Sequence, residues 1–208
     1  MVSISPLAKD SSLPRIQWIQ KITIVWMSIE AIVSLSAAWL AHSPALLAFG
    51  GDSAIELASA MVVLWEFRER PGARSAGPWA AKLAGGLLFA LAAYVVLLSA
   101  LSLMGHNEPR PTRLGIAILI AAAGIMPFLA HQKRKLSAAK GSAALRADAA
   151  QSGLCAYLSL IALVGLALNV VWRISWADSL AALAITPLIL WEAKESFRGK
   201  PCGCCSES

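Results

Sequence analysis

Six mostly apolar runs follow one another along the chain, each bounded by a short polar segment. They cover residues 22–41, 45–65, 80–104, 114–130, 147–171 and 177–191. A helix needs about 20 such residues to cross a bilayer. The pattern therefore predicts an all-α membrane protein with six transmembrane helices. The breaks have local causes. His42-Ser43-Pro44 reads as a tight turn, because proline starts helices but does not continue them. Arg70-Pro71-Gly72 ends the second run, and Asn107-Glu108-Pro109-Arg110-Pro111 separates the third from the fourth. Pro127 and Pro187 lie inside predicted helices, as candidate kinks.

Composition agrees. The chain is 58% hydrophobic and 14% charged, against roughly a quarter charged in soluble domains. The first, third and fifth polar segments and the tail hold fifteen of the eighteen Lys and Arg residues. The opposite side holds only Arg110, Arg113 and Arg173. Positive charge concentrates on cytoplasmic loops, so both termini are expected in the cytoplasm, as an even helix count requires. The net charge of +6 is thereby a matter of topology. No basic stripe is interleaved with stacking aromatics, so nucleic acid is not an expected partner. Residues 1–15 are polar and contain prolines, and no cleavable signal peptide is expected. The expected organisation is a cytoplasmic segment over 1–21, a six-helix transport domain over 22–195 and a cytoplasmic cysteine-rich tail over 196–208.

The acids inside apolar runs carry the chemistry. Each costs about 2.5–3.5 kcal/mol at the bilayer centre, so it faces a polar interior. Glu30 lies in the middle of the first helix. Asp52 and Glu56 lie in the second and share one helix face by their i, i+4 spacing. Two carboxylates this close repel, so protons or a divalent cation must balance them. Glu66, Glu69, Glu192 and Glu195 lie near helix ends beside Arg and Lys, and read as solvated interfacial charges. In the fifth helix, Asp148, Gln151, Ser152 and Cys155 form a polar stripe at i, i+3, i+4 and i+7. Cys155 is either a soft ligand suited to zinc or cadmium or a small apolar core residue. Gln151 offers a carbonyl oxygen or a supporting donor. Asp148 is nearest the cytoplasmic end and reads as an entrance residue.

Four cysteines make no disulfide framework, since three lie in Cys202-Gly203-Cys204-Cys205. Cytoplasmic thiols stay reduced. Cys202, Cys204 and Cys205 read as contacts for a soft ion, as lipidation sites, or as residues of no specific role. His42, His106 and His131 lie at helix ends and read as interfacial. No nucleophile–base pair or cofactor loop appears, so an enzyme is not expected.

The stretch Leu47-Ala48-Phe49-Gly50-Gly51-Asp52-Ser53-Ala54-Ile55-Glu56 resembles the second helix of cation diffusion facilitators, which carries an Asp-Ser-x-x-Asp type site. Arg146-Ala147-Asp148-Ala149-Ala150-Gln151 resembles that family's Ala-Asp-x-x-His-x-x-x-Asp segment. On this register the family's metal-binding His and Asp fall at Gln151 and Cys155. Trp176-Ala177-Asp178-Ser179-Leu180 resembles the opening of its sixth helix. Closer still are small bacterial cation transporters of that superfamily, with a Gln-Ser-x-x-Cys-Ala-Tyr-Leu-Ser stretch like residues 151–159 here and a cysteine-rich end. The resemblance implies export of zinc or a similar divalent ion from the cytoplasm, driven by proton entry, in a homodimer of a bacterial inner membrane. It implies no tightly bound cofactor beyond the transported ion. It does not reach the family's usual cytoplasmic domain, whose dimerising and sensing roles are not carried over. Glu30 is not a usual ligand there, and reads as a proton carrier or a structural partner of the site. Two rival readings use the same residues. One is a small organic cation transporter, which would line its cavity with aromatics; the eight tryptophans lie mostly near helix ends instead. The other is a non-transporting metal-binding sensor or partner subunit.

Overall fold

The computed structural model describes the backbone of residues 13–69, 78–106, 108–110, 112–140 and 143–197. All regular structure among these residues is α-helical: α1 (Leu13–Ala41), α2 (Pro44–Glu69), α3 (Pro78–Leu103), α4 (Arg113–Lys140), α5 (Ala143–Trp172) and α6 (Ser175–Phe197). Among the described residues, four helices contain a stretch long and apolar enough to cross a membrane, namely Lys21–Ala41, Lys82–Leu103, Arg113–Leu136 and Gln151–Trp172. The remaining two, α2 and α6, carry four and three acids respectively.

Several helices run past their apolar stretch. The residues around 133–140 were expected in a polar loop, but α4 continues to Lys140. Likewise α1 begins at Leu13, well before Ile22. Lys, Arg, Gln and Glu are good helix formers, so leaving the apolar zone does not end a helix. Pro127 and Pro187 both sit inside continuous helices.

Side chains are sorted inside-out relative to a soluble protein. The core is built largely from small residues such as Ala37, Ala45, Ala48, Ala92, Ala122, Ala162 and Ala182, filled in by Leu46, Phe49, Leu158, Ile185 and Ile189. Large apolar side chains such as Trp39, Ile32, Leu97, Tyr157 and Val164 point outward. In lipid, burying apolar area gives helices no advantage, so close backbone approach and buried polar contacts hold them together. A Cβ on Gly165 of α5 would sit 2.4 Å from the Cβ of Ala181 in α6. One on Gly50 of α2 would sit 2.8 Å from the Cβ of Ser34 in α1. Only glycine permits these two contacts.

Helix α2 is central, packing on α1, α3, α5 and α6. Its start is fixed by capping. His42 adopts a left-handed φ of 50° and closes α1 in the manner of a C-terminal cap. The Ser43 amide then donates to the Ala38 carbonyl at 3.1 Å. The Ser43 hydroxyl oxygen accepts the Leu46 amide at 3.1 Å, as an N-cap does. That hydroxyl donates to Asp178 Oδ1 at 2.8 Å, and the Ala45 amide donates to Asp178 Oδ2 at 3.4 Å. The buried Asp178 of α6 thus ties the first turns of α2 and α6 together. The α3–α4 connection joins the same end: the Arg110 amide donates to the Ala41 carbonyl at 2.7 Å, and Asn169 Nδ2 donates to the Pro109 carbonyl at 3.1 Å. With α2 and α6 pinned at one end, their acids further along face each other at fixed depth.

Candidate metal centre

Asp52 and Glu56 lie eight and twelve residues into α2, about 12 and 18 Å along its axis at 1.5 Å per residue. That is near half of a hydrocarbon core about 30 Å thick. Asp52 is buried, and no donor reaches either of its oxygens. Its charged neighbours are other carboxylates: Glu192, Glu56 and Glu30. From α5, the buried thiol of Cys155 lies 3.5 Å from both oxygens of Glu56. Potential ligand atoms of Asp52, Glu56 and Cys155 all fall within 4.8 Å of one another. Cys155 has two kinds of neighbour. One side of it packs with Met27, Met126, Leu129 and Ala156, while its sulfur faces the acids.

Gln151, one turn earlier on α5, turns its amide nitrogen to two carboxylates at once, Glu56 of α2 and Glu192 of α6. The solvated, interfacial reading of Glu192 is therefore corrected. Glu192 is buried, and no amide, hydroxyl or cationic donor reaches its Oε2. Its neighbours Trp191 and Lys194, both exposed, suggested a helix end at the membrane surface. The signal that finds it is helical phase: Ile185, Ile189, Glu192 and Ala193 follow i, i+4, i+7 and i+8, and all are buried. Asp178 lies on that same face.

Glu30 of α1 has no exposed surface. The Ser53 hydroxyl donates to its Oε1 at 2.6 Å, and the Trp26 indole lies beside the same carboxyl. Ser53 adjoins Asp52, so Glu30 sits one side chain behind the cluster. Asp148 lies in the first turns of α5, and its side chain falls outside the described residues, as do those of Glu66 and Glu69. Cys202, Cys204 and Cys205 also fall outside them. His42 and His106 are exposed at turns, whereas His131, expected at a helix end, is exposed within α4, because that helix runs on to Lys140.

Lys133 is a second departure. Read as a loop charge, it has no exposed surface, and its Nζ donates to Ser152 Oγ at 2.9 Å. It buries a positive charge between α4 and α5, beside the residue that follows Gln151.

Asp52, Glu56 and Cys155 therefore meet inside the helical bundle, with Glu192 joined to them through Gln151 and Glu30 one side chain behind. Like charges about 4–5 Å apart repel by about 3–4 kcal/mol per pair at an effective dielectric near 20. Protons or a cation must offset this. The model of the cation efflux transmembrane domain matches residues 21–198 of the chain. The chain belongs to the cation efflux family. It is an integral, multi-pass membrane protein and a cation transporter. No curated protein sequence matches it.

Proposed function

We propose that this cation efflux protein exports a divalent transition-metal ion, zinc or a close relative, from the cytoplasm in exchange for protons. The observation that carries the proposal is the approach of Asp52, Glu56 and Cys155 to within 4.8 Å. A sulfur beside two carboxylates suits zinc or cadmium better than magnesium or calcium, which prefer oxygen alone. Asp52 and Glu56 act as primary ligands and Cys155 adds the soft donor. The amide of Gln151 can face the acids with its nitrogen or a cation with its oxygen. Asp148 admits the ion from the cytoplasmic end.

Exchange follows from charge. The cluster holds more acids than one divalent ion neutralises, so protons must enter as the ion leaves. Glu30, linked through Ser53, carries protons to and from it. The distribution of Lys and Arg supports six spans with both termini cytoplasmic, residues 1–21 and 196–208 flanking a 22–195 transport domain. In that arrangement Cys202, Cys204 and Cys205 collect the ion near the inner surface. Resemblance to small bacterial relatives supports a homodimer in an inner membrane.

The test is uptake of zinc, cadmium, manganese and magnesium into inside-out vesicles under an imposed proton gradient. Zinc and cadmium uptake that collapses when the gradient is dissipated is the expected result. Uptake of none of these ions by a folded, abundant protein would refute the proposal.

A further inference from the structure

The geometry points to Glu192 of α6 as a direct donor to the transported cation, alongside Asp52, Glu56 and Cys155. This rests on the reading of those three residues as the cation site. Nothing in the sequence pattern assigns Glu192 such a role: its apparent place is the solvated end of the last helix.

Three observations carry it. First, Glu192 is 8% exposed, although a glutamate is rarely buried unless it is paired. Something holds it inward. Second, its Oε1 takes a hydrogen from Gln151, which also serves Glu56. One amide thus spans the acids of α2 and α6. Third, its Oε2 and both oxygens of Asp52 are buried with no amide, hydroxyl or cationic donor, and the two carboxyls can pair only with each other. Buried polar atoms are almost always satisfied, and with no ion present only a proton shared between the two carboxyls can satisfy these. A cation binding between them would replace that proton. It would draw the free oxygens of Asp52 and Glu192 toward a common centre with Glu56 and the Cys155 sulfur. Zinc takes four donors in a tetrahedron. Asp52, Glu56, Cys155 and Glu192 provide four from three helices.

The consequence is mechanical as well as chemical. Asp178 fixes α6 to α2 at the other end of both helices. With Glu192 as a donor, ion binding joins the two helices at a second point. Loading and release then change how α6 lies on α2.

The alternative role for Glu192 is to hold Gln151 in place and never touch the ion. Zinc titration calorimetry on the purified full-length protein in nanodiscs separates the two, using native protein, Glu192→Gln, Gln151→Ala and the double variant. A direct donor predicts at least tenfold weaker zinc binding on Glu192→Gln in both the native and the Gln151→Ala background. Native affinity in Glu192→Gln would overturn the proposal. So would a loss seen only when Gln151 is present, which is the mark of a positioning residue. Should Glu192→Gln fail to fold, Glu192→Asp keeps the charge and shortens the reach by one methylene. At least tenfold weaker binding then supports the proposal, and native affinity overturns it. Asp52→Asn is measured beside these variants. Zinc binding lost in Asp52→Asn but native in Glu192→Gln removes Glu192 alone, whereas native binding in both removes the site itself.

Discussion

Asp52→Asn should make the metal-free protein more stable while it destroys metal binding. In the native chain, Asp52 is 1% exposed and neither carboxylate oxygen meets a donor. Its neighbours Glu192, Glu56 and Glu30 are all acids. Asparagine has nearly the same shape but carries two N–H hydrogens, which those acids can accept. A hydrogen bond to a charged group is worth about 1.5–3 kcal/mol, and one like-charge repulsion is removed as well. For a chain of this size about 1 kcal/mol moves Tm by roughly 2–4 °C. A rise of about 3–10 °C in chelator is expected. Zinc affinity should move the other way. Removing one member of a buried ionic set costs about 3–5 kcal/mol, or roughly 10²- to 10⁴-fold in Kd. The assays are thermal unfolding in detergent with chelator and zinc titration calorimetry on the same preparation. A fall in Tm with unchanged zinc affinity would refute the reasoning, since it would make Asp52 a structural residue.

Cys155→Ser replaces a soft donor with a hard one, so tolerance of cadmium and zinc should fall more than that of manganese in a host lacking its own exporters; equal loss for all three ions would argue against a sulfur ligand. Gly165→Ala places a methyl where only 2.4 Å separates it from the Cβ of Ala181, and should destabilise the α5–α6 contact by about 1–3 kcal/mol. An unchanged melting curve would mean that the helices part freely there. A cysteine introduced by Ser75→Cys should resist impermeant thiol reagents applied outside intact cells, because positive charge gathers in that segment; labelling there would invert the topology.

Much of this was legible in the residues. The turns at His42-Ser43-Pro44 and around Pro109 fall where proline and polar residues interrupt the apolar runs. The pairing of Asp52 with Glu56 follows from i, i+4 spacing, and the stripe of Gln151, Ser152 and Cys155 from i, i+1 and i+4. Helix ends were less legible, because hydropathy marks where a chain leaves an apolar zone and backbone hydrogen bonding does not stop there. Lys133 was misread for that reason: the apolar run ends near Ala130 while α4 continues. Glu192 was misread because its exposed neighbours Trp191 and Lys194 spoke for an interface. Its orientation depends on the phase of α6 against α2, and Asp178 with its partner Ser43, 135 residues away in sequence, sets that phase.

On the proposed function, the transported ion sits between Asp52, Glu56 and Cys155. Zinc-edge X-ray absorption on the purified, zinc-loaded protein tests it most directly. The account predicts one sulfur at about 2.3 Å with oxygen donors at about 2.0–2.2 Å, and loss of the sulfur shell in Cys155→Ser. To keep tail thiols from mimicking it, the measurement uses protein in which Cys202, Cys204 and Cys205 are replaced by serine. A zinc shell without sulfur, or one unchanged by Cys155→Ser, would contradict the account.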